Sequence, residues 1–166
     1  MNIFIFDGYN VIYAVPDLRK KLDRSLEAAR DGLLSYCARL KSRRGGIGGI
    51  YVVFDGDERF SRFPAGSVSA SAQVIFTQRK EEADDRILSM IRKDGGKNSF
   101  IIVSNDNYVF NNSRVHGACV ISVAEFCALL EPASGKPKSG PETPAKVLPL
   151  DKAKKITEEY KKHLGI

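Results

Sequence analysis

The feature that most constrains the fold is a run of four apolar residues, Ile3 to Phe6, that ends directly in an acid, Asp7. The run is too short for a helix, and its residue types favour a β-strand. A strand that is apolar on both faces is typical of a parallel sheet covered on both sides. Asp7 is therefore predicted at the carboxyl end of a buried strand, and ligands bind at that edge of open α/β sheets.

Four more short apolar runs follow and are predicted as strands. They cover residues 50–54, 73–77, 100–103 and 118–121. Helical spacing of apolar residues follows a Ser25 cap, recurs over residues 81–93, and follows a capping box formed by Ser122 and Glu125. This alternation predicts an α/β fold of three layers, with a mainly parallel central sheet flanked by helices.

The composition changes after residue 131. Residues 132–149 hold five prolines and few apolar residues, which predicts an extended linker, and residues 150–166 have the pattern of a basic terminal helix. From Pro132 onward eight lysines face four acids, so this tail carries +4 of the net charge of +6. We therefore expect one α/β domain over residues 1–131, followed by the linker and the helix.

Acidic residues recur where a predicted strand ends or the next helix begins. They are Asp7, Asp55, Glu81, Glu82, Asp84, Asp85 and Asp106. Because the carboxyl ends of parallel strands share one edge, these side chains are expected to converge. Converging carboxylates repel one another unless a cation neutralises them. A donor set made only of oxygen suits Mg²⁺ or Mn²⁺, and either ion can activate a water against a phosphodiester.

Each of these residues also has a purely structural interpretation. An acid at a helix start is often a cap or a partner of the helix dipole, and this is favoured for Glu81, Glu82 and Asp85 taken singly. Asp55 precedes a glycine, as is common in turns. Asn10 fits either a turn cap or the orientation of a substrate phosphate. Taken together, three strand-end acids and Asp84 favour a site over a set of unrelated caps.

Six short motifs follow one another in an order typical of a known family. They are DGYN (7–10), VVFDG (52–56), VIFT (74–77), EEADD (81–85), VSND (103–106) and ISVAEF (121–126). Over residues 1 to about 131 the chain thus resembles the YacP-like branch of the NYN domain family. Members of that family are PIN-like nucleases with a parallel sheet and an acidic, metal-binding pocket, and the resemblance implies the same fold here.

The resemblance implies roles for the matching positions. Asn10 would position the substrate or metal-bound waters, and Asp55 and Glu81 are secondary acidic candidates. The catalytic residues that hold Mg²⁺ or Mn²⁺ and the attacking water would be Asp7, Asp84, Asp85 and Asp106. Some NYN ribonucleases carry a further acid four residues beyond the position of Asp106, and this chain has Phe110 there.

A basic and aromatic segment offers a second candidate surface. Aromatic side chains can stack on unpaired bases while arginines hold phosphates. The phenylalanines of this segment fit equally well as anchors of the loop onto the domain. The predicted RNA-binding residues are Arg59, Phe60, Arg62, Phe63, Arg79 and Lys80. The basic tail fits either a mobile anchor for RNA or the ribosome, or a helix packed on the domain.

Two hypotheses follow for the function. The first is a metal-dependent endoribonuclease acting on RNA; the resemblance adds mRNA and the ribosome as partners. The second is an RNA- or ribosome-binding module without catalysis. No apolar run is long enough to span a membrane, and the N-terminus lacks the layout of a signal peptide. Three widely spaced cysteines predict buried, reduced thiols and a cytoplasmic protein.

Overall fold

The computed structural model describes residues 1–56, 71–78 and 81–131. The strands are β1 (Asn2–Asp7), β2 (Ile47–Phe54), β3 (Gln73–Phe76), β4 (Ser99–Val103) and β5 (Cys119–Ile121). The helices are α1 (Gly8–Ala14), α2 (Pro16–Leu22), α3 (Leu26–Arg43), α4 (Ala83–Asp94), α5 (Asn107–Val115) and α6 (Val123–Leu130). The strands form one parallel sheet in the order β3-β2-β1-β4-β5, which confirms the predicted α/β fold.

Most element boundaries lie close to those expected. The Ser25 cap and the capping box at Ser122 are both present. β2 begins at Ile47, earlier than expected, because its glycines continue the ladder with β1. α4 begins at Ala83 rather than at residue 81. The short helix α1, which follows β1 without a loop, was not predicted.

The sheet is covered on both faces, as the continuous apolar run of β1 indicated. Alternate side chains of a strand point to opposite faces. Ile5 lies in the core under α4 and α5, together with Ile87 and Val109. Phe6 packs on the other face against Phe126 of α6, with ring centroids 4.8 Å apart. Both layers hold the carboxyl end of β1 rigidly in the middle of the sheet.

A buried arginine fastens α3 to the carboxyl edge of the sheet. Arg30 is only 6% exposed, and its Nη2 donates a hydrogen bond to the Tyr9 hydroxyl of α1. Its guanidinium lies 5.0–5.5 Å from the ring centroids of Tyr9, Phe54 and Phe76. These cation–π contacts join α3 to the start of α1 and to the ends of β2 and β3, at the edge of the sheet where Asp7 lies.

Two expectations about the remaining residues have different outcomes. Cys37 is buried, but Cys119 is exposed on the edge strand β5 and Cys127 is half-buried, so the prediction of buried thiols is wrong for these two. All three thiols are free. No helix in residues 1–56, 71–78 and 81–131 is long and apolar enough to cross a membrane.

Several predictions lie outside the described residues. They are the RNA-binding residues Arg59, Phe60, Arg62, Phe63, Arg79 and Lys80, the linker 132–149 and the terminal helix 150–166.

Candidate active site

The carboxyl edge of the sheet has its topological switch point at β1. This strand pairs with β2 on one side and β4 on the other. The chain runs from β1 outwards to β2 and β3, and then crosses back past β1 to β4 and β5. Three helices, α1, α4 and α5, begin at residues 8, 83 and 107 and are the next helices along the chain after β1, β3 and β4. Their N-termini carry partial positive charge, which favours acids at this edge.

Asp7 is both a helix cap and a buried acid. Its side chain is 8% exposed; Oδ1 accepts a hydrogen bond from the Asn10 amide at 3.4 Å, and Oδ2 accepts one from Ser104 Oγ at 3.1 Å. Burial, followed by the charge of Asp55, raises the pKa of Asp7 to about 7, although both hydrogen bonds act to lower it. Asp7 therefore caps α1, as its structural interpretation predicted. Capping alone does not explain why this carboxyl is buried next to other acids.

Among the described acids at this edge that are buried or half-buried, Asp84 has the least support from neighbouring donors. It lies half-buried in the first turn of α4, and within the part of the chain that the structure describes its carboxylate accepts no hydrogen bond. Burial, followed by the charges of Asp7 and Asp106, raises the pKa of Asp84 to about 8. A carboxylate in this position gains most from a bound cation.

Asp106 joins the group through the start of α5. Its Oδ1 accepts hydrogen bonds from the amides of Tyr108 at 2.7 Å and Val109 at 3.0 Å, so it caps the helix. Its own amide donates to Ser104 Oγ at 3.0 Å. Ser104, which is 2% exposed, thus links Asp7 and Asp106 and fixes their separation.

Asp55 acts on the site by holding α4. Asp55 directly follows β2, and its Oδ1 accepts a hydrogen bond from the Ala83 backbone amide at 2.5 Å. This contact caps the first turn of α4. Burial raises the pKa of Asp55, and the nearby charge of Glu82 raises it further, against the lowering effect of the Ala83 bond. Because Ala83 precedes Asp84 directly, Asp55 is a positioning residue for that carboxylate.

Asn10 connects the ends of β1 and β4. Its Oδ1 accepts a hydrogen bond from the Asn105 amide at 2.8 Å, and Asn105 Oδ1 accepts one from the Val123 amide at 2.9 Å. Among the described residues, Asn10 Nδ2 donates no hydrogen bond. The side chain therefore has a structural contact on its oxygen and a donor left for a substrate.

The other predicted acids differ in their surroundings. Asp85 is exposed and is not among the acids that raise the pKa of Asp7 or Asp84. Glu81 accepts a hydrogen bond from the Gln78 amide at 3.3 Å and pairs with Arg86 at 3.6 Å. The catalytic role of Asp85 and the secondary role of Glu81 stay predictions.

The donor set fits a hydrated divalent cation better than a tightly enclosed one. In residues 1–56, 71–78 and 81–131, no three His, Cys, Asp or Glu side chains are close enough to hold a metal ion directly. In the part of the chain that the structure describes, the candidate metal ligands at this edge are all oxygen atoms, and no basic side chain is among the groups that shift the pKa of Asp7 or Asp84. Mg²⁺ keeps several waters and is often held by one or two carboxylates, which matches this arrangement.

Comparison with known proteins identifies the family. The YacP-like NYN domain matches residues 4–164. The chain belongs to the YacP-like NYN domain family. The match extends beyond residue 131, where the recognised sequence motifs end. NYN domains are PIN-like nuclease domains, so membership supports a nuclease or RNA-related role.

Solved structures and a curated relative agree with this membership. The chain is similar to Rae1 (YacP) from Bacillus subtilis, with 27% identity and a TM-score of 0.63 over 78% of this chain and 74% of that one. The structure of a tryptophan-to-leucine mutant of the same protein is 28% identical to this chain, with a TM-score of 0.65 over 78% of this chain and 75% of that one. YacP of Bacillus subtilis (strain 168) is 37% identical over 87 residues, or 52% of this chain and 49% of the relative. The aligned part thus spans about half the relative's length.

Two polar residues of this NYN domain were missed as parts of the site. Ser104 and Asn105 precede Asp106 in the VSND motif, and each makes the hydrogen bonds that join separate elements. A short polar pair between a buried strand and a helix is also ordinary turn sequence. The sequence signal was therefore present, but only the folded chain shows which groups the pair contacts.

Replacing Ser104 by Ala is expected to destabilise the protein by about 1–3 kcal/mol at a pH near 9, because Asp7 and the Asp106 amide lose a buried partner. Near pH 5 the loss should be smaller, since Asp7 is then protonated in the folded state. Urea unfolding at both pH values measures the difference. Ser35→Ala, which removes an exposed hydroxyl bonded to the Asp31 carbonyl, is the control. Equal losses at both pH values would contradict the assignment.

Proposed function

We propose that this NYN domain protein is a metal-dependent endoribonuclease. The observation that carries the proposal is the group formed by Asp7, Asp84 and Asp106 at the switch point of the sheet. After burial, the charges of Asp7 and Asp106 raise the pKa of Asp84, and among the described residues none of the groups that shift this pKa is a cation. Such an arrangement costs stability in the folded chain and is explained by a ligand of opposite charge.

The three carboxylates would hold a hydrated Mg²⁺ or Mn²⁺, partly through water molecules bound to the ion. Once bound, such an ion lowers the pKa of a water and stabilises the charge that develops on a phosphodiester. Ser104 keeps Asp7 and Asp106 at a fixed separation. Asn10 Nδ2 is a donor suited to a phosphate oxygen of the substrate. Attack by water on the phosphorus leaves a 3′-hydroxyl and a 5′-phosphate.

RNA is the proposed substrate, with mRNA at the ribosome as the proposed context in the cytoplasm. The net charge of +6 favours a polyanionic partner, and most of that charge lies in the tail after residue 131. Free thiols at Cys37, Cys119 and Cys127 accord with a reducing compartment.

A non-catalytic RNA-binding module is the second candidate. It is favoured by the absence of three directly ligating side chains among the described residues. It is also favoured by Phe110, which stands where some related ribonucleases carry an acid. This alternative predicts RNA binding that survives removal of divalent ions, with no cleavage when they are added.

A cleavage assay with the full chain separates the two. We expect single-stranded RNA to be cut internally in Mg²⁺ or Mn²⁺ and left intact in EDTA. Asp7→Asn should lower the rate by about 100-fold or more, since even residues that only support a metal ligand contribute about 10- to 100-fold. Gel analysis of end-labelled RNA measures the rate and the product ends.

Asp31→Asn is the matched control. It makes the same chemical change at an exposed residue of α3, away from the carboxyl edge of the sheet. Its rate should equal that of the wild type. Cleavage by Asp7→Asn at the wild-type rate would rule out the proposed chemistry. RNA binding without cleavage in either metal would leave the binding module as the function.

A further inference from the structure

Helix α5 presents aromatic rings to solvent beside the acid group. Phe110 is 36% exposed and Tyr108 is 54% exposed, while Val109 and Ser113 make the buried side of the helix. The phenylalanines on β1 and β2 are buried. Phe110 and Tyr108 differ from them, since large aromatic side chains are mostly buried in folded domains. Neither ring is needed to close the core.

The Phe110 ring has a cation above it. Arg114, one turn further along α5, places its guanidinium 5.3 Å from the ring centroid of Phe110. Both are surface residues, so the pair presents an aromatic ring and a positive charge side by side on the helix surface. Unpaired bases stack on aromatic rings and on arginine planes, and the cation favours the neighbouring phosphate.

The rest of α5 has the composition of a nucleic-acid surface. Residues 107–115 contain no acid, and three asparagines, Asn107, Asn111 and Asn112, contribute side-chain amides. Amides can pair with the edges of unpaired bases. The one charged side chain in residues 107–115 is the positive Arg114, which is complementary to RNA and contrasts with the carboxylate of Asp106 before the helix.

Phe110 also lies close to Asp106, the acid that caps α5. The Phe110 backbone amide donates a hydrogen bond to the Asp106 carbonyl, so the backbone of Phe110 is about one helical turn, about 6 Å along the axis, from the residue that caps α5. That spacing is comparable to the size of one nucleotide. A phosphate held at the acid group thus brings a neighbouring base within reach of the ring.

We propose that Phe110 and Arg114 form a stacking site for an unpaired base next to the phosphodiester that is cut. The inference rests on the proposed ribonuclease function and specifies its substrate as single-stranded RNA at this position. It gives Phe110 a binding role where some relatives carry an acid. A helix-stabilising Phe–Arg pair with no ligand is the alternative, and it predicts an effect on stability alone.

The test measures binding of a short single-stranded RNA and of the matching duplex in EDTA, so that no cleavage occurs. Phe110→Ala should weaken single-strand binding by about 5- to 100-fold and leave duplex binding unchanged. Phe110→Tyr should retain the wild-type affinity, because the ring remains. Arg114→Gln should weaken the same complex. With 2-aminopurine in the strand, wild type and Phe110→Tyr should quench its fluorescence, and Phe110→Ala should not.

Val115→Ala is the control, since Val115 is 81% exposed on the same helix and has no ring. It should bind as the wild type does. Unchanged affinity in Phe110→Ala, or equal losses for single strand and duplex, overturns the stacking site. If the wild type cuts RNA and Phe110→Ala binds normally, the ribonuclease function stands and the inference fails. If binding depends on Phe110 but no metal supports cleavage, the stacking site stands and the catalytic function fails.

Discussion

Asp84→Asn is expected to make the metal-free protein more stable near pH 9, by on the order of 1–3 kcal/mol, while removing RNA cleavage. The physical reason is the raised pKa of Asp84, which burial and the charges of Asp7 and Asp106 bring to about 8. Ionising this carboxyl in the folded chain is unfavourable, and an amide of the same shape needs no ionisation.

The direction of the pH dependence follows from the same shift. Below a pH of about 4, Asp84 is protonated in both the folded and the unfolded chain. Between about 4 and 8 the folded chain keeps the proton and the unfolded chain has lost it, so the free energy of unfolding falls as the pH rises. Asp7, with a pKa of about 7, adds to the same fall. The stability advantage of Asp84→Asn should therefore grow from pH 4 to pH 9.

Thermal unfolding in EDTA across this pH range measures the effect, with about 2–4 °C for each kcal/mol in a chain of this size. Asp31→Asn, the same change at an exposed position on α3, should leave stability within about 0.5 kcal/mol of the wild type. Added Mg²⁺ or Mn²⁺ should stabilise the wild type more than Asp84→Asn, because the variant lacks one of the carboxylates proposed to hold the ion. A flat pH profile in both proteins would contradict the placement of Asp84 among the acids.

The fold and the meeting of the acids were predictable because one rule governs both. Apolar runs that end in an acid indicate parallel strands, and parallel strands share a carboxyl edge. Asp7 is the last residue of β1, and Asp106 comes three residues after the end of β4, so that rule is enough to place both acids at this edge. Their catalytic and metal-binding roles stay predictions.

The neighbouring acids on α4 were harder to assign from sequence. The helix was expected from residue 81 and begins at Ala83, because Asp55 caps the Ala83 amide from another strand. Helical phase then decides which acid faces the site, since successive residues are about 100° apart around the axis. Asp84 lies half-buried among the acids, and Asp85 is exposed.

Contacts between elements explain what else was missed. Ser104 and Asn105 have the sequence of a turn, and their importance lies in the partners Asp7, Asn10 and Val123 from elsewhere in the chain. Arg30 lies on the buried side of α3 because three aromatic rings from other elements surround it. No local pattern in the sequence encodes these partners.

Gly8→Ala is expected to destabilise the protein by about 2–3 kcal/mol, through overpacking at the junction of β1 and α1. A Cβ at residue 8 would lie 2.4 Å from the ring of Phe54 and 2.8 Å from the Val53 carbonyl oxygen. The carbonyl belongs to β2 and cannot rotate away, so the backbone at Gly8 has to move. Asp7 is its direct neighbour, and a displacement of about 1 Å there should lower cleavage by about 100-fold.

Urea unfolding and the RNA cleavage assay measure the two effects on the same variant. Gly45→Ala is the matched control, because a Cβ at that exposed position meets nothing within 4 Å. Its stability should stay within about 0.5 kcal/mol of the wild type. Combining Gly8→Ala with Phe54→Leu removes part of the clashing ring and should recover some of the lost stability, giving a favourable coupling in a double-mutant cycle. Strictly additive losses would show that the Phe54 ring does not oppose a side chain at residue 8, and that the close approach of α1 to β2 is not what holds Asp7 in place.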